Sequence, residues 1–319
     1  MGPPYLQFHM KHSFWLIIII IAFFSAVPAY AAENNITPPP PMIIAHRGGP
    51  SNWPPNTICA IRKDLQEGVD AIEIDVQISR DGDLVLYHPE DLAEQTTASG
   101  NVADKNTAEL ATLDTTAKYK GPKDYQTACK SGELRIPKLT DVLQRFPDTE
   151  FFIDLKSLPA EPLVRTIARK VPKAELKRLI FYSTNQEHLS ALDKYIPRAS
   201  HFENRAKTFD RLMTYTGTHQ CTLPDKTEYV GFELFRDLDI CEKFKLGGNC
   251  FKTSFEMWSQ GSMACTKTIT NSAKVILFGI DTPEAYEKAL QLGAYGVYSN
   301  DPKTLLEYRT KQRSQTMRD

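Results

Sequence analysis

What most constrains this chain is a rhythm. Short apolar, β-branched runs recur, and helical patterns separate many of them. The runs are "MIIAHR" (42–47), "AIEIDV" (71–76), "DLVLYH" (83–88), "FFIDLK" (151–156), "LIFYST" (179–184), "VGFELF" (230–235), "VILFGI" (275–280) and "GVYSND" (296–301). Runs that are apolar throughout fit strands buried on both faces, as in a parallel sheet. Between them, "TICAIRKDLQEG" ends on Gly68, suited to a helix C-cap. "TPEAYEKALQLG" starts with Thr282 and Pro283, an N-cap and a first helical residue, and stops at Gly293. "KLTDVLQRF", "AEPLVRTIARKV" and "NQEHLSALDKYI" have the same character. Strands alternating with helices over this length predict an α/β fold, one (β/α)8 TIM barrel. "ASHFEN" (199–204) competes with 230–235 for the sixth strand. A doubly wound open sheet is the alternative. No G-x-G-x-x-G or G-x-x-x-x-G-K-[ST] stretch supports a nucleotide fold.

The barrel domain is expected over residues 42–310. Ahead of it, "MKHSFWLIIIIIAFFSAVPAYA" carries Lys11, an apolar stretch from Phe14 to Val27, and the ending Ala29-Tyr30-Ala31. A basic start, an apolar core and an A-x-A ending predict a secretory signal peptide over residues 1–31. The apolar run is short for a bilayer span, which needs about 20 residues, so no stable membrane insertion is expected after cleavage. "ENNITPPPP" then reads as an exposed linker over 32–41. An exported, periplasmic or secreted protein is the expectation. Lys plus Arg number 38 against 39 for Asp plus Glu, so no basic excess points to nucleic acid.

Export gives the cysteines meaning. There are six: Cys59, Cys129, Cys221, Cys241, Cys250 and Cys265. An even number outside the reducing cytosol permits disulfides. Four lie between 221 and 265, which predicts a stapled insertion in the C-terminal half with at least one disulfide. Cys241–Cys250 is the first choice, because Gly247-Gly248 lets the intervening chain turn back. Cys221–Cys265 is the natural second. Zinc ranks below disulfides, since no C-x-x-C pair occurs.

Active sites of such barrels gather at the C-terminal ends of the strands. Polar residues stand there in turn: His46 and Arg47, Glu73 and Asp75, His88, Asp154 and Lys156, and Glu233. Residues two apart on a strand share a face, so Glu73 and Asp75 converge. Adjacent carboxylates repel, and a divalent cation resolves the conflict. Oxygen ligands select Ca²⁺ or Mg²⁺, with Asp154 as a third carboxylate. His46 and His88 are then free for acid–base work near neutral pH. Arg47 and Lys156 have no obvious structural partners and suit an anionic phosphate. Together the set implies phosphoryl transfer or phosphodiester cleavage.

These residues stand in recognisable motifs. The first is "IIAHRGGPSNWPPNT" and the second "GVDAIEIDVQISRDGDLVLYHPEDL". "TTASGNVADKNTAEL", "IPKLTDVL", "FFIDLK" and "LGAYGVYSNDPKTL" follow in order. In order and spacing, over residues 42 to 308, the chain resembles the glycerophosphodiester phosphodiesterases, including their bacterial secreted members. The resemblance implies a phosphodiesterase barrel. It implies His46 and His88 as the acid–base pair and a metal at Glu73 and Asp75. It implies phosphate contacts from Arg47 and Lys156. Three positions depart from the family pattern. Pro55 stands for a glutamate, Pro89 follows the second histidine in place of an aspartate, and Asp154 replaces a glutamate.

The expected reaction is metal-dependent hydrolysis of a small-molecule glycerophosphodiester to sn-glycerol 3-phosphate and an alcohol, with Glu233 among the substrate contacts. Two alternatives stay open. One is a phospholipase D-like relative that cleaves lysophospholipids or another phosphodiester. The other is a catalytically impaired binding protein on the same fold. A lipid-handling form should expose an apolar loop near the barrel mouth. "TSFEMWSQGSM" (253–263) is either such a loop or an ordinary helix, and the second is expected, since isolated apolar clusters are more often core.

Overall fold

The computed structural model describes residues 39–222, 227–245, 247–269 and 273–316. The expected signal peptide and most of the linker lie outside the described residues. The strands are β1 Met42–Ala45, β2 Ala71–Ile78, β3 Leu84–Leu86, β4 Phe151–Leu155, β5 Leu179–Tyr182, β6 Ser200–His201, β7 Tyr229–Glu233, β8 Phe235–Phe244, β9 Gly247–Glu256, β10 Lys274–Phe278 and β11 Gly296–Ser299. Eight of them pair in parallel in the order β6-β5-β4-β2-β1-β11-β10-β7. A parallel bridge between Phe202 and Tyr229 joins the two ends. The Glu203 N–H donates to the Tyr229 carbonyl there at 2.8 Å. The result is the expected (β/α)8 barrel, not an open sheet.

Two strand expectations are corrected. The run 83–88 is not a barrel strand: β3 pairs antiparallel with β2, Val76 opposite Leu86. The intervening "SRDGD" is a tight turn, with Gly82 at φ +70°. So short a connection cannot make a parallel crossover. The place it vacates means that 199–204 and 230–235 do not compete. Both contribute barrel strands, as β6 and β7.

Strand alternation sorts the apolar residues into two layers. Ile43, Ile72, Ile74, Phe151, Ile153, Phe181, Val230, Phe232, Leu277 and Val297 belong to one buried cluster, packed outward against the helices. Ile44, Ala71, Phe152, Ile180, Tyr182, Phe202, Tyr229, Ile276 and Tyr298 form another, inside the barrel. Large rings fill that interior, and Gly231 makes room for them. A Cβ there would stand 2.6 Å from both the Phe202 and the Phe278 rings.

The helices begin and end as their sequences suggest. Thr57 caps Ile58–Glu67 by accepting the Ala60 N–H, and Gly68 ends it at φ +98°. Thr282 caps Pro283–Gln291.

Directly after β7, β8 and β9 form a separate two-stranded antiparallel ribbon. Cys241 lies opposite Cys250 across it, and the two are disulfide-bonded. Cys221–Cys265 also forms, so both expected pairs are present. A third bond, Cys59–Cys129, ties helix Ile58–Glu67 to the segment beyond β3. Of the stretch 253–263, the first four residues end β9, Met257 and Trp258 are buried core, and a helix opens at Gln260, so it is neither one loop nor one helix. Among the described residues, no helix is long and apolar enough to cross a membrane.

Candidate active site at the barrel mouth

The inward positions of the strands change character toward their C-terminal ends. Below lie Ile44, Ala71, Phe152, Ile180, Tyr229 and Ile276. Two residues further along the same faces come His46, Glu73, Asp154, Tyr182, Gly231 and Phe278. The next step reaches Asp75, Lys156, Thr184, Glu233 and Asn300. This alternation builds a polar mouth on an aromatic floor. A cavity of about 380 Å³ opens there, lined by His46, Arg47, Glu73, Asp154, Tyr182, Arg205, Glu233 and Asn300 among others.

Glu73, Asp75 and Asp154 meet in it. Each offers an oxygen within 4.8 Å of the others, and all three are buried. Burial, then the neighbouring Asp75 and Asp154 charges, push the Glu73 carboxyl well above the usual range. Burial also lifts Asp154, to about 7, against the pull of Lys156. Asp75 Oδ1 is buried without a hydrogen-bond donor, although the Lys156 ammonium stands 3.2 Å away as an ion contact. Three crowded carboxylates with an unsatisfied oxygen fit a hard divalent cation.

Arg47 and Lys156 are not partnerless, as the sequence suggested. Lys156 Nζ lies 2.6 Å from Asp154 Oδ2, and Arg47 Nε lies 3.3 Å from Asp75 Oδ2. Both cations thus stand over the carboxylates. The Arg47 backbone is in the left-handed region at φ +54°, unusual for a residue with a side chain. Its N–H donates to Glu73 Oε2 at 2.9 Å, which helps hold that strained turn at the site.

His46 follows β1, and its Nε2 lies 3.8 Å from Glu73 Oε2. Its Nδ1 is 2.7 Å from Asn300 Oδ1. The Asn300 Nδ2–H₂ donates to Asp281 Oδ2 at 3.0 Å, and the Asn300 N–H donates to Asp281 Oδ1 at 2.6 Å. Because the carboxylate of Asp281 only accepts, the amide of Asn300 turns its oxygen to the ring. His46 must then carry its proton on Nδ1, leaving Nε2 as an acceptor. Burial and the Arg47 charge lower its pKa.

His88 lies in the loop after β3 rather than at the end of a barrel strand; it does not line that cavity, but it stands close enough to feel the charges of Asp75, Arg47, Lys156 and His46. The loop is pinned to β2: the Tyr87 N–H donates to the Asp75 carbonyl at 3.1 Å. Gln77, the last inward residue of β2, donates to the Tyr87 and Pro89 carbonyls, each at 2.8 Å. It therefore straddles His88. Burial, reinforced by Arg47 and Lys156 and opposed by Asp75, brings the His88 pKa down to about 4.

Glu233 lines the same mouth but is not alone. It is ion-paired with Arg205, the first residue of helix Arg205–Thr218. Sequence reasoning missed Arg205, Asn56, Gln77, Asp281 and Asn300. The Asn300-Asp301-Pro302 exit of β11 was visible as a motif, and Asn204, which caps the helix beginning at Arg205, is a residue type that could have flagged the turn. Neither signal says what the side chain touches.

Comparison with known proteins agrees with this geometry. Residues 46–304 match the model of the glycerophosphoryl diester phosphodiesterase family. An uncharacterized Mycobacterium tuberculosis protein is 32% identical over 270 residues, covering 84% of this chain and 89% of its own length. The crystal structure of that organism's glycerophosphoryl diester phosphodiesterase domain superposes with a TM-score of 0.74 at 31% identity, covering 85% of this chain and 99% of the domain. A glycerophosphodiester phosphodiesterase of Caldanaerobacter subterraneus is 28% identical over 83% of this chain and 96% of its own length. An Oleispira antarctica phosphodiesterase, solved with the product sn-glycerol-3-phosphate, shares the fold with a TM-score of 0.61 at 20% identity, covering 85% of this chain and 97% of its own. The chain belongs to the glycerophosphoryl diester phosphodiesterase family.

Proposed function

We propose that this protein hydrolyses glycerophosphodiesters to sn-glycerol 3-phosphate and an alcohol. The observation that carries the reading is the convergence of Glu73, Asp75 and Asp154 beneath Arg47 and Lys156, with His46 beside them. These three carboxylates would hold one divalent cation, Ca²⁺ or Mg²⁺, which when bound supplies charge neutralisation for the phosphate oxygens. Arg47 and Lys156 bind and orient the same phosphate.

His46, with its proton on Nδ1, accepts at Nε2 the proton of the attacking hydroxyl, that of water or of the glycerol 2-hydroxyl. As the new phosphorus–oxygen bond forms, the bond to the leaving alcohol breaks, and His88 returns a proton to that oxygen. Arg47 and Lys156 help hold the His88 pKa down, and a bound phosphodiester anion offsets their repulsion. If the 2-hydroxyl attacks, the cyclic product needs a second hydrolysis by the same pair in exchanged roles.

The three disulfides fit a chain that meets an oxidising compartment. With them we propose export through a signal peptide over 1–31, a linker over 32–41 and a catalytic domain over 42–310. A second reading, cleavage of lysophospholipids, is favoured by one feature. Leu158, Phe235 and Phe251 are about half exposed, at 57%, 50% and 49%. Leu158 follows β4, and the ribbon carrying the other two follows β7, both at the mouth end of the barrel.

The test is a hydrolysis screen of glycerophosphocholine, glycerophosphoethanolamine and lysophosphatidylcholine, with chelator, Ca²⁺ or Mg²⁺. Release of sn-glycerol 3-phosphate that needs the cation and is lost in His46→Ala and His88→Ala supports the reading. Turnover confined to the lysophospholipid supports the second reading. No turnover of any diester rejects both.

A further inference from the structure

The ribbon β8–β9 leaves the barrel at the mouth end of β7 and is anchored only at its base. There the Met257 N–H donates to the carbonyl of buried Leu234 at 2.8 Å. The Arg236 guanidinium carbon lies 5.1 Å from the centre of the Phe209 ring and 5.3 Å from that of Phe232. Phe255, opposite Arg236, packs against the core. Further out the ribbon stands clear. Successive residues of a strand point to opposite faces, and Cys250, Phe251 and Lys252 are all exposed, so both faces meet solvent. Two strands alone in water are marginally stable, and the Cys241–Cys250 bond staples these two together. A stapled ribbon that buries so little serves something outside the fold.

Charge is sorted along it. The tip "KFKLGGNCFK" (243–252) holds Lys243, Lys245 and Lys252 and no acidic residue. The acids of the ribbon, Asp237, Asp239, Glu242 and Glu256, all lie outside that stretch, and Glu256 is taken by Lys288 at 2.9 Å. Even with Asp239 opposite Lys252 in the pairing, the tip keeps a positive excess. The chain as a whole has none, with 38 basic against 39 acidic residues, so the excess is local. Phe251 stands beside Lys252 with 49% of its surface exposed.

We propose that the ribbon tip docks the protein on an anionic lipid bilayer, with Lys245 and Lys252 at acidic head groups and Phe251 in the interfacial layer. Lysines beside an exposed aromatic ring have the chemistry of a bilayer-surface segment: the cations are drawn to the negative leaflet, and the ring settles at head-group depth. A protein partner fits less well, because lysine is depleted from protein interfaces. The docking goes beyond the phosphodiesterase reading and does not depend on it. Its consequence does. A glycerol phosphodiester is what remains of a phospholipid once its acyl esters are hydrolysed, so a docked barrel stands where its substrate is released.

The experiment is co-sedimentation of the full chain, with Mg²⁺ present, on vesicles of phosphatidylcholine alone and of equal parts phosphatidylcholine and phosphatidylglycerol. Any binding through the apolar stretch Phe14–Val27 is common to every variant, so differences between variants read the ribbon. The wild-type protein should bind the anionic vesicles at least about 20-fold more tightly than the neutral ones, and less so as salt rises. Each basic residue near an anionic surface is worth about 5-fold, so Lys245→Glu with Lys252→Glu should cost about 20-fold or more in affinity for the anionic vesicles. Lys173→Glu with Lys177→Glu makes the same charge change at exposed sites before β5, at the other end of the barrel, and should cost less than about 3-fold. Tryptophan emission of Phe251→Trp should shift to the blue on the anionic vesicles beyond any shift of the wild type. Thermal melts confirm that each variant folds. The docking is wrong if the wild-type protein shows no preference for the anionic vesicles, if the tip reversal leaves that preference intact, or if the control reversal costs as much. It is equally wrong if Phe251→Trp gives no added shift. A wild-type protein that ignores vesicles, yet is held by polyglutamate through Lys245 and Lys252, overturns the bilayer in favour of an acidic polypeptide. None of these readouts needs turnover, so failure of the phosphodiesterase reading and failure of the docking are told apart.

Discussion

Asn56 grips Asp75 with both ends of its amide. Its Nδ2–H donates to Asp75 Oδ2 at 2.8 Å, and its Oδ1 accepts the Asp75 N–H at 3.0 Å. The contact fixes one of the three converging carboxylates and satisfies a buried backbone donor of β2 in the same stroke. Asn56 itself sits at φ +57°, a conformation asparagine tolerates better than most residues.

Asn56→Ala therefore loses on two counts. It leaves the Asp75 N–H unpaired and puts a Cβ residue of lower tolerance at positive φ. The expected cost is about 2–4 kcal/mol in urea unfolding of the metal-free protein. A change below about 0.5 kcal/mol, within the range of ordinary surface substitutions, would mean the grip is incidental.

Removing the cation should be visible in stability as well as activity. With no cation, the Glu73 carboxyl is held well above its ordinary value of 4.5 by burial and by Asp75 and Asp154. A group whose folded pKa is raised favours folding when protonated, so that contribution is lost as pH climbs from about 4.5. Chelated protein should melt at progressively lower temperature as pH rises toward 8, and Ca²⁺ or Mg²⁺ should restore the loss. Melting curves that overlay with and without chelator at pH 8 would remove the cation from this cluster.

How much of this was readable beforehand follows from range. Glu73, Asp75 and Asp154 were legible because strand alternation is a local rule, and each carboxylate interrupts an apolar run. The tight turn at "SRDGD" already forbade a parallel crossover, so β3 could have been recognised as a hairpin strand. The two-residue β6 showed only as a rival to 230–235 for one strand, because so short a run is weak beside its neighbours. Arg205 and Glu233 are 28 residues apart, and His46 and Asn300 are 254 apart. Contacts that close a barrel across its first and last strands leave no periodic trace, so partners of known site residues had to wait for the structure.

Asp64 offers a test away from the site. It lies in helix Ile58–Glu67, fully buried, and neither carboxyl oxygen has a hydrogen-bond partner. Burial, with a smaller push from Glu67, raises its pKa well above the ordinary value of 3.8. Its contribution is thus intact below about pH 3.8 and lost as pH rises. Asp64→Asn cannot ionise, so it should be the more stable protein at pH 8 by about 1 kcal/mol or more, with the gap closing toward pH 4. Denaturant unfolding at the two pH values measures it, and a gap independent of pH refutes the assignment.

Gln77 does not line the cavity, yet it holds the carbonyls on both sides of His88. Gln77→Leu keeps the volume and releases that loop. The variant should lose about 10- to 10²-fold in kcat with KM altered far less, since the histidine is displaced from the reacting atoms rather than removed. A diester with a p-nitrophenol leaving group needs little help from an acid. It should show a much smaller loss if His88 is the proton donor, and an equal loss would point to another cause.

Which nitrogen of His46 carries the proton is set by its neighbours. Asn300 accepts from Nδ1 only because Asp281 takes both of its N–H groups, side chain and backbone. The chain Asp281–Asn300–His46 is therefore a tautomer lock, with a neutral amide where a carboxylate would also serve. Remove the acceptor, and the ring is free to carry its proton on Nε2, where it cannot take one from a hydroxyl. Asn300→Leu should lower kcat by about 10²-fold, in the range expected for losing one proton-transfer group, while KM stays within a few-fold. Ring ¹⁵N chemical shifts give the readout that a merely structural role would not move. The wild-type His46 should show a protonated Nδ1 and an unprotonated Nε2, and Asn300→Leu a mixture of both. Asn300→Gln, if its longer amide still reaches, should recover part of the rate and the wild-type pattern together. A wild-type ring with its proton on Nε2 would reverse the assignment, and His46 would then be the donor and His88 the acceptor.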